Sequence, residues 1–166
     1  MDADIQTRFE QAVALILKHE GGLVDDKADP GGLTNHGIAL NAHPELSADQ
    51  IRSMTAKQAA DIYHRDYWTP IKGDYLPYPL AVVTFDAAVN SGIKQASKWL
   101  QEAVEVSDDG HIGPQTIEAA HDCDIVQACR AYTDTRLAFL RSLPTWDRFS
   151  KGWEARCLDT LKEALA

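Results

Sequence analysis

Residues 5–22 read IQTRFEQAVALILKHEGG, and their spacing decides what kind of chain this is. Ile5, Phe9, Val13, Ile16 and Leu17 recur at helical intervals, so one stripe of a helix over residues 4–20 faces a core. Glu20 falls on that stripe, four residues after Ile16 and seven after Val13, and Gly21-Gly22 end the helix behind it. A carboxylate on an apolar stripe loses hydration, and one near a helix C-terminus meets the negative end of the dipole. Both effects favour the protonated carboxyl, the form that a general acid needs near neutrality. Position alone also admits a plainer reading, in which a boundary glutamate reaches solvent through the glycine turn.

Outward from this helix the pattern stays helical. Residues 21–46 carry too many Gly, Pro, Asn and Asp for a helix and read as a long loop, with alternation that permits a short hairpin near 33–40. A loop of that length inside a compact domain usually has a functional reason. Ser47 and Thr55 can cap the next helices, and Thr55-Ala56-Lys57-Gln58 has the spacing of a capping box opening a helix to about Tyr67. Three prolines in WTPIKGDYLPYP break it. The run LAVVTFDAAVNS over 80–91 is nearly all small or apolar and fits a central helix buried on most sides. Helices follow at about 94–105, 114–120, 124–142 and 150–165, with a turn at SDDGHIG. The expected fold is mainly α, a globular domain of about seven or eight helices.

Composition narrows the function classes. A chain of 166 residues, 45% hydrophobic, can bury a proper core as one domain or one domain with a small subdomain. The net charge of −9 argues against nonspecific nucleic-acid binding and against adsorption to anionic envelopes by bulk charge. No apolar run approaches the roughly 18 residues of a membrane span. The acidic, amphipathic start MDADIQTRFEQAV is neither a secretory signal nor a transit peptide, so synthesis and folding in a cytoplasm are expected. Cys123, Cys129 and Cys157 suit buried reduced thiols better than a disulfide framework. The histidines do not pair at ligand spacing, so neither a metal nor another cofactor is expected.

The run HEGGLVDDKADPGGLTNHGI over 19–38 closely resembles the phage-type N-acetylmuramidases of glycoside hydrolase family 108, which begin with a His-Glu-Gly-Gly motif. The similarity is carried by Glu20-Gly21-Gly22, Asp29-Pro30-Gly31-Gly32 and Thr34-Asn35-His36-Gly37-Ile38. It continues through Ile62-Tyr63, Tyr67-Trp68 and Phe85-Asp86-Ala87-Ala88-Val89-Asn90-Ser91-Gly92. It ends with Leu100-Gln101, Asp109-Gly110, Ile112-Gly113-Pro114, Thr116 and Lys151-Gly152-Trp153 with Arg156. Each piece is weak and the ordered set is strong. Two positions depart from the pattern: Leu23 stands where the family commonly has an aromatic, and His36 where it commonly has Tyr.

The resemblance implies a lysozyme-like helical fold, with a catalytic region over 1–92 and a peptidoglycan-binding-like region over 93–166 packed into the same globular domain. It implies hydrolysis of the β-1,4 bond between N-acetylmuramic acid and N-acetylglucosamine in peptidoglycan, with Glu20 as the acid. Such an endolysin would act as a monomer on peptidoglycan glycan strands in the periplasm, exported through a holin or secretion pore. Lytic transglycosylase activity and a catalytically silent wall-binding module are the alternatives.

Glycoside cleavage needs a proton donor and a second group that stabilises an oxocarbenium-like centre or positions water. Asp29, in the loop after Glu20, is the leading second carboxylate, or else it forms an Asx turn before Pro30. The Thr34 hydroxyl holds the attacking water or satisfies a loop carbonyl. Asp86 and Asn90 share a face of the apolar helix, as a structural network or as a cleft in which Asn90 binds an N-acetyl group. Tyr63 lines the cleft or packs in the core with Tyr67 and Trp68. Trp99 and Gln101 belong to the wall-binding half. Lys151, Trp153 and Arg156 meet peptide-stem carboxylates or form a solvated helix face.

Overall fold

The computed structural model describes residues 3–20, 22–24 and 32–166, with side chains from Gln6 onward. The chain forms two compact units, residues 1–65 and 66–166. No helix among the described residues is long and apolar enough to cross a membrane.

In the first unit, helix α1 (Ala3–His19) buries Phe9, Val13 and Ile16 of the expected stripe together with Ala12 and Leu15, while Leu17 is half-buried. It packs on α3 (Ala56–Tyr63), where the Phe9 ring meets His64 edge-on at 4.6 Å. Strands β1 (Thr34–Asn35) and β2 (Ile38–Ala39) form the expected hairpin, with Asn35 opposite Ile38. The connecting His36 and Gly37 both have positive φ, 49° and 77°. That combination is the signature of the two-residue hairpin turn whose twist matches the strands, and it needs Gly at its second position. Helix α2 (Ala48–Arg52) and α3 each open on a complete capping box, Ser47 with Gln50 and Thr55 with Gln58. The helix expected to run to about Tyr67 changes winding: α3 passes into a π-helical turn over His64–Trp68. Such turns frequently mark functional sites.

The second unit is built around α4 (Tyr78–Ser91), with every residue from Leu80 to Ala88 buried. It packs against α5 (Ile93–Ala103), α7 (Ile125–Ser142) and α8 (Trp146–Ala164), while α6 (Pro114–Asp122) follows the turn after α5. Two helix starts differ from expectation. Helix α4 begins at Tyr78 because Pro79 occupies its first turn, where a missing N–H costs nothing, so a proline that reads as a breaker is a start signal. Helix α8 likewise begins at Trp146, two residues past Pro144. Trp68, fully buried, donates from Nε1 to Asp74 Oδ1 at 2.6 Å and lays its ring against Gly73, where any Cβ would collide with the indole. The three cysteines are free. Burial pushes the Cys129 thiol up to about 12, so it stays protonated and inert.

Asp86 lies at the centre of α4 with a fully buried side chain. Arg136 of α7 donates from Nη1 to its Oδ2 at 2.6 Å, and Arg156 of α8 from Nε to its Oδ1 at 2.8 Å. Arg136 also donates from Nη2 to Asn90 Oδ1 at 2.9 Å. Burial works against the Arg136 charge, and Asp86 beside it more than compensates, holding the guanidinium above its ordinary value. A second polar cluster fixes the turn after α5. Buried Gln101 donates from Nε2 to Asp109 Oδ1 at 2.8 Å and to the His111 carbonyl at 3.1 Å, while its Oε1 accepts from the Gly110 N–H at 2.8 Å.

Two outcomes follow. Asp86→Ala leaves two guanidinium groups facing each other in the interior and lowers unfolding free energy by about 3–5 kcal/mol, measured by urea titration. The Asp109 carboxylate is held below its ordinary value first by the Gln101 hydrogen bond and then by the His111 N–H. A depressed folded-state value means stability that is present above the unfolded value near 4 and fades as pH falls through the folded one. The stability gap between wild type and Asp109→Asn therefore closes on acidification below about pH 4, as read by thermal unfolding across pH.

Candidate active site

The carboxyl of Glu20 is delivered by the end of α1. Its N–H still donates to the Ile16 carbonyl at 2.9 Å, so the helical hydrogen bonding carries one position past His19. The side chain is half-buried and rests on the hairpin turn. A Cβ on Gly37 would lie 2.9 Å from Glu20 Cγ and 3.0 Å from Oε2, and would overlap the Tyr63 hydroxyl. Three separate segments (the end of α1, the hairpin turn and the end of α3) therefore converge on one bare Cα.

The turn is fixed from both sides. Tyr63, 1% exposed, donates from its hydroxyl to the His36 carbonyl at 3.1 Å. Asn35, also buried, donates from Nδ2 to the Ile51 carbonyl at 2.9 Å, with the carbonyls of Arg52 and Met54 at 3.4 Å. These are the orphan acceptors at the end of α2, so one side chain ties the hairpin to a helix terminus. Thr34 pairs through its backbone with Val24, N–H to carbonyl in both directions at 2.8 and 2.9 Å, which brings the residues just after Glu20 onto β1. Side chains alternate along a strand, so the half-buried Thr34 points to the face opposite Asn35. Asp29 lies outside the described residues.

Of the sequence-derived candidates, Glu20 and Tyr63 come together at Gly37, with Thr34 in the strand leading to it. The others sit elsewhere. Asp86 is fully buried between two arginines, so of its two readings the structural network is the one its surroundings fit, in place of a substrate contact. Trp99 is buried edge-on between Tyr132 and Phe139, and Gln101 has its amide committed to the turn, which removes both from any wall-facing surface. Asn90 keeps partial exposure beside Arg136. Asn35 and Gly37 were not singled out as site residues from the sequence. The signal available for them was a His-Gly pair between alternating residues, the mark of a tight hairpin turn. No cluster of metal-ligating side chains occurs among the described residues.

Comparison with known proteins gives this geometry a family. The family model described as glycosyl hydrolase 108 matches residues 13–92, and one described as a predicted peptidoglycan domain matches residues 95–158. Among solved structures, SagA of Brucella abortus is similar at a TM-score of 0.85 and 36% identity, over 96% of this chain and 95% of that one. No sequence among curated proteins matches. The chain belongs to the glycosyl hydrolase 108 family. It is a mainly α, lysozyme-like glycoside hydrolase whose polymer is peptidoglycan.

Gly37→Ala tests the convergence. An L-residue at this φ costs about 1–2 kcal/mol, and the added methyl displaces both Glu20 and the Tyr63 hydroxyl. The expected outcome is a folded protein, by circular dichroism, whose kcat on peptidoglycan falls about 100-fold, the scale of loss that a displacement of about 1 Å within a site produces.

Proposed function

We propose that the protein is an N-acetylmuramidase in which Glu20 is the general acid for the β-1,4 bond between N-acetylmuramic acid and N-acetylglucosamine. The observation that carries this reading is the placement of the Glu20 carboxyl, half-buried against the hairpin turn, with Cγ and Oε2 lying 2.9 and 3.0 Å from where a Cβ on Gly37 would stand. An acid for glycoside cleavage has to be both sheltered and reachable, and a glycine turn supplies both.

In this mechanism Glu20 gives its proton to the glucosamine O4 as the bond from muramic acid C1 breaks. Positive charge develops at C1 and the ring oxygen, and a water adds to C1, releasing a reducing muramic acid end. Asp29 or a water held by the Thr34 hydroxyl serves the C1 side of the reaction. Tyr63 acts through the turn: its hydroxyl is committed to His36, so it sets where Glu20 points and does not itself stack on sugar. In this reading Leu23, 54% exposed, meets the sugar at the position where the family commonly has an aromatic. Endolysin action fits this reading, with the enzyme reaching the periplasm through a holin or secretion pore.

Glu20→Gln is isosteric and cannot donate the proton. The expected result is a folded protein with kcat reduced by at least about 1,000-fold, in the range of general acid losses. The assay is clearance of outer-membrane-stripped Gram-negative cells. Mass spectrometry of wild-type digests should show reducing muramic ends; 1,6-anhydro ends would identify a transglycosylase instead. A folded Glu20→Gln protein that retains lysis sinks the assignment.

A further inference from the structure

The second unit contains a cavity of about 300 Å³ that the cleavage chemistry does not use. Asn90, Ser91, Arg136 and Arg156 supply its polar lining, and Phe139 and Trp153 its aromatic lining. The residues around it include two guanidinium groups and no carboxylate. Asp86, behind them, takes hydrogen bonds from both arginines, so the three groups together carry a net charge of +1. The Arg136 side chain is only 4% exposed, and its Nε has no hydrogen-bond partner in the protein.

The aromatic side extends to the surface. Trp153 stacks on Phe149 with ring centroids 5.4 Å apart at 27°, and Phe149 is 41% exposed with the Arg148 guanidinium 5.1 Å over its ring. A small pocket lined by two guanidinium groups and by aromatic rings that continue to the surface suits a short chain that ends in a carboxylate and carries apolar bulk beside it.

We propose that this cavity binds the carboxylate of a peptidoglycan stem peptide, with the arginines holding the anion and Phe139, Trp153 and Phe149 covering the adjoining aliphatic residues. The proposal rests on peptidoglycan being the polymer and deepens it, by giving the segment matched as a peptidoglycan domain a ligand that is peptide and not sugar. An anion site fixed this way does not depend on the protein's overall charge, which opposes approach to an anionic wall.

The test is a ¹⁵N NMR titration of the full chain, followed at the Trp153 indole N–H. The probes are the tetrapeptide L-Ala-γ-D-Glu-diaminopimelate-D-Ala, the same peptide with its carboxylates amidated, and glycan strands stripped of peptide. The free tetrapeptide should shift Trp153 saturably, with the amidated peptide at least about tenfold weaker, as loss of a charge-assisted hydrogen bond predicts. Peptide-free glycan should leave the signal in place. Arg156→Gln keeps Asp86 paired with Arg136 and should weaken the tetrapeptide about tenfold; Ser91→Phe should do the same by filling the cavity. Equal binding of free and amidated peptides, or no Trp153 shift with the free one, overturns the proposal, and that comparison needs no variant. The same titration on Glu20→Gln should match wild type, so failure of the acid assignment and failure of the peptide site are read separately.

Discussion

The first unit depends on one place where a side chain is forbidden. Glu20, Tyr63 and the hairpin all press on the Cα of Gly37, and each of the three is fixed only because the others are there. The turn geometry requires positive φ at two successive residues, which glycine accepts without strain and histidine tolerates. Once the turn is set, its carbonyl at His36 faces the Tyr63 hydroxyl, and the phenol oxygen is satisfied in a buried position. Asn35 then uses its amide to close the end of α2. A carboxyl held in this way is positioned by a backbone turn that is itself fixed, which is the condition for precise placement of a functional group.

The second unit depends on the opposite device, a charge where none would be expected. Asp86 occupies the middle of a helix otherwise buried in apolar residues, and its two oxygens call in one arginine from α7 and another from α8. An apolar side chain at that position would often be no less stable, because two ions taken from water regain little beyond their desolvation. What the carboxylate adds is direction. Leu and Val surfaces allow helices to slide, whereas a carboxylate with one guanidinium on each oxygen admits a single register of α7 and α8 against α4. The arginines so placed also form the wall of the cavity, so the packing device and the anion site share the same atoms.

Much of this architecture could be read from the sequence because it is written locally. The α1 stripe, the Ser47 cap, the Thr55 capping box, the short hairpin and the central apolar helix rest on residues within a few positions of one another, and each forms as the spacing requires. The place of Glu20 at the end of α1 was legible for the same reason. The starts of α4 and α8 were missed because proline has two opposite meanings, stopping one helix and opening the next, and only the structure distinguishes them. The role of Asp86 was open because its partners lie 50 and 70 residues away, and no spacing rule connects them. Gln101 misled for a related reason: a polar residue on a helix reads as a surface contact, yet this one is inside, exchanging its hydrogen bonds with the turn that follows. The matched family segments meet near residue 93, whereas the compact units divide after residue 65, since α4 is apolar on nearly every side and has to be enclosed by α5, α7 and α8.

A wall-degrading enzyme with a net charge of −9 faces a physical difficulty, because its polymer is anionic as well. At physiological ionic strength the repulsion is screened beyond about 8 Å, so it slows approach without preventing contact. Inside that distance local charge matters most, and at the cavity two arginines stand against the single carboxylate of Asp86. Bulk positive charge would hold the enzyme on any anionic surface and restrict its movement along the wall. Two buried arginines bind an anion only when its shape brings it into the cavity, and the energy is realised only there. The acidic exterior and the cationic interior thus serve one end, discriminating a stem-peptide carboxylate from every other negative charge that the enzyme meets.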